Sequence, residues 1–446
     1  MRIVIILLAT AALAGAAPDG VRLLEAEGEA AKYWPRWRGP SGQGLVRAGT
    51  YPDAWSETQN VEWKVAVPGR GNSSPIVWGD RIFFTTAYDG GAKLSLLCYR
   101  RSDGKLLWEL AAPQEGIEHV HQKNGHASAT PVTDGQRVYA SFGPHGVIAA
   151  TLEGKLLWHA RIGRIDNYHG TAGSPVLYKD TVIIYHDGGQ QLRGPKLASD
   201  QLPSFIAAFD RATGKLRWRT PRTATVGWGT SVVIRAGARD ELVVCGQRRA
   251  VAYDPANGQE LWAVSGLTFE VIPTPVVGHD LVFCSSGRAG PTIAIRPGGS
   301  GDVTATHVAW STPKGSPFVP SGVIVGDVLY LVNDMQSIVT AYEAKTGSLL
   351  FQGRLGVATR EGFSSSPIAV GGKVFFTNDD GETFVLAAGR EFKLLHVNQL
   401  GEPTYASPAL VDGRWYFRTA SSLLAIGHGR RHAVEASHEA TARDAR

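Results

Sequence analysis

The sequence predicts an all-β chain folded as an eight-bladed β-propeller of four-stranded antiparallel blades. Three observations predict it. A hairpin pattern recurs, clearest in Ala208-Phe209-Asp210-Arg211-Ala212-Thr213-Gly214-Lys215-Leu216-Arg217-Trp218. Its closing aromatic returns every 41 to 60 residues, at Trp63, Trp108, Trp158, Trp218, Trp262, Trp310 and Phe351. The last repeat lacks one strand, and a lone strand around Trp63 precedes the first. Repeats of that period mark stacked supersecondary units.

The hairpin follows from local chemistry. An acidic or polar residue opens the turn by accepting from nearby amides, Gly takes the position with φ > 0, and apolar strands flank it. Copies run from Ala252-Tyr253-Asp254 through Gly258 to Trp262, and from Ala341-Tyr342-Glu343 through Gly347 to Phe351. Looser ones run through Gly104 to Trp108 and through Gly154 to Trp158. Each repeat opens with a small residue, often before Pro: Ser74, Thr130, Ser174, Thr230, Thr274, Ser321, Ser366 and Ser407. An apolar strand, a turn such as Val325-Gly326-Asp327 and a β-branched or aromatic strand follow, then the hairpin. Eight openings predict eight blades. The Trp63 strand is expected to complete the last blade, closing the ring and removing a sheet edge.

The flanks divide the chain. Residues 1–16 combine one positive charge, a short apolar run and an Ala-x-Ala-like site, the pattern of a secretory signal peptide. Export to the periplasm or medium as a soluble monomer is the expectation. Residues 17–60 form a lead-in, loose over 17–33, followed by a clamp rich in Trp and Arg at Trp34-Pro35-Arg36-Trp37-Arg38-Gly39-Pro40. The propeller is expected over 61–427 and a disordered tail over 428–446. Insertions fall at Gln114 to His126, Gly188 to Pro203 and Pro297 to Thr306. Loops on a rigid scaffold are where function usually sits.

The formal net charge of +5 is spread along the chain without a basic block, so nucleic acid is not an expected partner. The cysteines Cys98, Cys245 and Cys284 sit in apolar strand-like runs and read as small buried hydrophobes. A disulfide or a reactive thiol is the alternative, and an odd number leaves at least one thiol unpaired in an oxidising compartment.

In a propeller, the loops approaching each innermost strand and those between the second and third strands share one face. Here they hold a polar set: His121, Lys123, Asn124, His126, His169, His186, Asp187, Arg288, Asn333, Asp334, Asn378 and Asp379. His119, Tyr168, Tyr88, Asp89, His145 and Asp380 accompany them. Carboxylates and amides could hold a hard cation, and the histidines are transition-metal ligands in type but lack a recognised spacing. The same residues also satisfy turn backbones and a hydrated rim, or bind a peptide segment without catalysis.

The A-x-D-x-x-T-G-x-x-x-W hairpin and the eight-fold count resemble the quinoprotein-type propellers with pyrroloquinoline-quinone-like repeats, over about residues 61–427. In that superfamily one branch comprises quinone-dependent alcohol and sugar dehydrogenases, and the BamB-like branch serves outer-membrane protein assembly without catalysis. The resemblance therefore implies either pyrroloquinoline quinone held with Ca²⁺, or no cofactor and a protein partner in the cell envelope. The chain lacks the adjacent cysteine pair and the C-x-x-C-H haem motif that dehydrogenases commonly carry, and it offers no position matching their catalytic Asp or calcium ligands. It also lacks the acylated cysteine of assembly lipoproteins. The expectation is a non-catalytic binding scaffold, with a quinone-dependent oxidoreductase as the alternative.

Overall fold

The computed structural model describes residues 20–163, 165, 167–188, 204–356 and 362–428. The expected signal peptide, nearly all of the tail and residues 189–203 of the third-blade insertion lie outside the described residues.

Eight sheets, each built on a four-stranded antiparallel blade, surround a channel. The first seven blades run in chain order, the first built from Ile76–Trp78, Arg81–Tyr88, Lys93–Arg100 and Leu106–Ala111. The eighth contains Ala409–Val411, Arg414–Arg418 and Ser422–Ile426, and Val61–Ala66 pairs antiparallel with Ser422–Ile426 as its outer strand. The ends of the propeller thus share one sheet.

A hydrogen-bond circuit holds the innermost strands together. The backbone N–H of Ser74 donates to Thr130 Oγ1 at 2.9 Å, and Thr130 N–H donates to Ser174 Oγ at 3.0 Å. The pattern continues through Thr230, Thr274, Ser321 and Ser366 to Ser407. Ser407 N–H then donates to Ser74 Oγ at 3.0 Å. These are the eight residues that open the repeats. Their hydroxyls satisfy buried amides at the point where strands diverge and sheet partners run out.

Farther out, the hairpin glycine of one blade seats the tryptophan of the blade before. A Cβ on Gly154 would lie 2.6 Å from Trp108, and one on Gly214 2.7 Å from Trp158, so the indoles lie directly on these turns. Gly104 seats Trp63, Gly258 seats Trp218 and Gly347 seats Trp310 in the same way. Trp108, Trp158 and Trp310 each donate their Nε1–H to a carbonyl of the next blade at 3.0 Å, and Trp63 does so at 3.2 Å. Trp262 departs from the rule. Its neighbour's hairpin is the one extended by Pro297–Thr306, which adds Gly301–Asp302 beside Glu260–Ser265 as a parallel strand. Trp262 is fully buried and donates instead to Glu241 Oε2 at 2.7 Å.

The N-terminal segment is no loose lead-in. Val21–Leu23 pairs antiparallel with Ile234–Ala236 on the axial side of the fourth blade, and Leu45–Val46 pairs parallel with Ala369–Val370 of the seventh. Between them, Trp34 bridges to Val77 and the Pro35 carbonyl accepts from Thr133 N–H. The Gln43 amide both donates to Pro275 O and accepts from Val277 N–H. Buried Arg38 donates to Gly322 O and Pro367 O. The Trp/Arg-rich stretch expected to clamp the array is a plug inside its channel, tied to six blades.

Trp262→Ala is expected to cost about 3–5 kcal/mol, the range for emptying a fully buried indole site. Trp218, half-buried and with its Nε1–H unpartnered, should cost clearly less. Urea denaturation midpoints of the two variants check the order.

Candidate functional site

The plug closes the channel partway, and a cavity of about 370 Å³ lies above it with Trp37 as floor. The Ser/Thr circuit rings its base. Two residues before each circuit member, the chain has just left the blade and turns toward the axis. All eight such positions line the wall: Asn72, Ser128, Ala172, Trp228, Ile272, Val319, Ser364 and Tyr405.

Six of the twelve sequence-predicted residues join this wall: His121, Lys123, Asn124, His169, Arg288 and Asp334. Asn124 ties two approach loops together. Its Nδ2 donates to His169 O at 2.8 Å, and its Oδ1 accepts from Ser128 Oγ at 2.6 Å. The imidazoles of His121 and His169 lie 4.9 Å apart, and His169 meets Trp228 edge-on at 5.3 Å. Trp228 is fixed by donating to Gly170 O at 2.8 Å. Burial holds the His169 imidazole below its ordinary pKa, which favours its neutral form.

Arg288 pairs with Glu270, and its guanidinium lies 5.0 Å from the Phe318 ring centroid. Both members of the pair have positive φ, 51° for Arg288 and 59° for Glu270, a conformation that costs non-glycine residues energy and recurs at functional sites. A Cβ on Gly287 would fall 1.8 Å from Glu270 O, so only glycine lets the two loops approach. Asp334 is buried and accepts from Phe318 N–H at 2.6 Å. Burial pushes its carboxyl up to about 6, against the pull of backbone amides and Lys123.

The other six predicted residues are not part of the cavity lining. Asp187 is buried in a bidentate ion pair with Arg222, at 2.7 and 3.1 Å, and Arg222 also donates to Tyr253 Oη. Burial acts against both charges; for Arg222 the facing carboxylate prevails and holds the guanidinium above its ordinary range. His186 is buried edge-on to Phe205, and burial lowers its pKa to about 3. His126 packs on Gly91. Asn333 ends its strand, its carbonyl accepting from Gln336 N–H. Asn378 Oδ1 accepts from the amides of Asp380 and Glu382, and Asp379 accepts from the amide and hydroxyl of Ser364.

Sequence reasoning missed Trp228, Glu270, Phe318 and Tyr405. The signal was available for two of them, because Trp228 and Tyr405 stand two residues before a repeat opening. Glu270 and Phe318 carry no comparable mark.

Ca²⁺ takes six to eight oxygen ligands, usually with several carboxylates. The carboxylates lining this cavity, Glu270 and Asp334, are engaged by Arg288 and Phe318 N–H. No three His, Cys, Asp or Glu side chains converge to hold a metal among the described residues. This donor set does not fit a calcium-held quinone. What the wall offers is stacking surface from Trp37, Trp228 and Phe318, beside paired charges and ring hydroxyls.

Residues 40–192 and 204–427 match the PQQ_2 family, described as outer membrane protein assembly factor BamB. The tetrathionate hydrolase of Acidithiobacillus ferrooxidans is 23% identical over 343 residues, 74% of this chain and 56% of that one. The chain therefore spans about half the length of that curated relative. Among solved structures, BamB from Moraxella catarrhalis superposes with a TM-score of 0.58 at 13% identity, covering 83% of this chain and 97% of that one. A europium-containing methanol dehydrogenase reaches 0.65 at 12% identity, covering 90% and 98%. At such identities the structural likeness concerns the fold. No helix among the described residues is long and apolar enough to cross a membrane.

Two predictions follow from the geometry. Asp187→Ala strands a buried guanidinium and should cost about 3–5 kcal/mol, with Asp187→Ala/Arg222→Met costing less; urea melts of the single and double variants check this. For Asp334, a folded-state pKa near 6 lies above the ordinary carboxyl value. Between about pH 4 and 6 the folded chain therefore binds more protons than the unfolded one, and stability falls as pH rises. Asp334→Asn keeps an acceptor for Phe318 N–H and removes that fall. Denaturation midpoints across pH should show wild type losing ground to the variant through this window and levelling off above it.

Proposed function

The chain belongs to the PQQ_2 family, described as outer membrane protein assembly factor BamB, and from that membership and the cavity we infer a non-catalytic binding scaffold of the cell envelope. In this reading the cavity-bearing face receives a segment of a protein partner. The carrying observation is the mouth of the cavity. Met335, 61% exposed, lies in the wall itself, and Phe269, 44% exposed, is next to wall residue Glu270; Ile117, 59% exposed, is on the approach loop that brings His121 and Lys123 to the wall. Through Met335, apolar surface runs from the mouth to Trp228 and Phe318 inside. A concave apolar site with a few fixed polar groups suits an inserted side chain or short segment. The Glu270–Arg288 pair and the Asn124 tether hold the loops before any partner arrives, which lowers the ordering cost of binding.

The reading requires export, and therefore rests on the leader expected over residues 1–16.

The test places a photo-crosslinking amino acid at Met335 in cells and, as control, at exposed Leu349 on an outer strand. A discrete envelope-protein adduct from Met335 alone is expected. Phe269→Asp with Met335→Asp should reduce capture at a third probe, Ile117, at least tenfold without moving the melting temperature. Equal labelling at Leu349 would refute the assignment of this face. Calcium-dependent binding of pyrroloquinoline quinone by calorimetry would refute the non-catalytic reading.

A further inference from the structure

Two of the cysteines face each other across one blade boundary. Cys245 lies on the second strand of the fourth blade, Arg239–Gly246, and Cys284 on the second strand of the fifth, Leu281–Ser285. Strand alternation sets their directions. Val243 and Cys245 point into the layer between these blades, which also receives Val282 and Cys284. Leu242 and Val244 point the other way, toward the third blade, and Phe283 points toward the sixth.

Heights along the two strands agree as well. Val243 pairs with Ala252, which stands opposite Trp262. Phe283 pairs with Ala294, which stands opposite Trp310. Val243 and Phe283 are therefore equivalent levels, with Cys245 two residues beyond one and Cys284 one residue beyond the other. The offset is a single residue, about 3.3 Å. Both are buried free thiols in the structure, and they share this one layer. Cys98 sits in a different layer, between the first and second blades.

We propose that Cys245 and Cys284 form a disulfide that staples the fourth and fifth blades when the chain folds in an oxidising compartment. Bridges of this kind join the packed sheets of immunoglobulin-type sandwiches, which lie about 10 Å apart. The oxidant is a protein or small-molecule disulfide. One cysteine thiolate attacks it, releasing one thiol and leaving a mixed disulfide. The second thiolate attacks the chain's own sulfur in that intermediate and releases the second thiol. Two cysteine protons and two electrons thus pass to the oxidant, whose S–S bond breaks as the new one forms. Once the blades have packed, burial pushes the Cys245 thiol well above its ordinary range and starves the reaction of thiolate. The exchange therefore belongs to folding, before this layer closes. It leaves Cys98 as a buried free thiol.

The proposal rests on the export reading for its compartment, and the experiment separates the two. Full-length protein is prepared twice from an oxidising compartment, once with its own N-terminus and once behind a secretion leader of known function. Each is unfolded with N-ethylmaleimide and mapped without reduction. Expected are one cross-linked peptide pair joining Cys245 to Cys284, alkylated Cys98, and a free-thiol count that falls from three to one. Cys98→Ala should keep the cross-link, and Cys245→Ala should abolish it. Three free thiols in folded protein exported behind the known leader, or a cross-link containing Cys98, would overturn the pairing. Three thiols only in the preparation with the native N-terminus would leave the pairing supported and count against export.

Discussion

The structure depends on the circuit of eight amide-to-hydroxyl hydrogen bonds around the axis. Each bond alone contributes about 0.5–1.5 kcal/mol net. Their arrangement matters more than their sum, because each blade's first amide is satisfied only by its neighbour's hydroxyl. An open ring would leave one buried amide without a partner, which costs more than a bond gains. The closing contact, Ser407 to Ser74, has the same form and nearly the same length as the rest. The circuit has no seam, although the chain does, and the strand Val61–Ala66 covers that seam from the outside.

Fixing the axial radius creates a second requirement. A ring this wide leaves a channel, and an open channel would expose the inner edge of every blade. The plug from residue 20 to 46 meets that need with backbone as well as side chains, adding short strands to two blades. Its cost is visible at Arg38, a buried guanidinium that donates to carbonyl oxygens and lies 5.7 Å from the Trp37 ring centroid, and whose pKa burial lowers to about 9. The six-blade attachment and the Trp37 floor offset that cost. They also turn a through-channel into a blind cavity, which is what gives this end of the molecule a binding geometry.

How much of this was legible in the sequence follows from the distance over which each feature is determined. The hairpins were legible because Asp210 accepts from Ala212 and Thr213 within its own turn. The eight-fold count and the shared blade were legible because strands can be counted. The openings were visible as small residues, but their hydroxyl role was not, since Thr230 is satisfied by Thr274 of the next blade. Asp187 looked like a ligand because Arg222, its buried partner, lies 35 residues away just past the strand Leu216–Pro221 and carries no mark of the pairing. The tied lead-in was read as loose for the same reason. Val21–Leu23 is too short for its alternation to mark a strand, and its partners, Ile234–Ala236 and Asp280, lie about half the chain away.

The division between scaffold and site also explains why the structural likenesses do not rank one function above another. Hairpin, seated indole and hydroxyl circuit require particular residues, and none of these residues presents chemistry to the cavity beyond a ring of hydroxyls. The wall is set by positions the fold leaves free, chiefly those two residues ahead of each opening. In this chain they are uneven: Trp228, Ile272, Val319 and Tyr405 are bulky, while Ser128, Ala172 and Ser364 are small. Such unevenness makes one side of the cavity a stacking surface and the other a recess. A propeller can keep its circuit and exchange this wall, so BamB and a methanol dehydrogenase can each match this chain's fold at 12–13% identity to it. Function in this chain has to be argued from that wall and not from the fold.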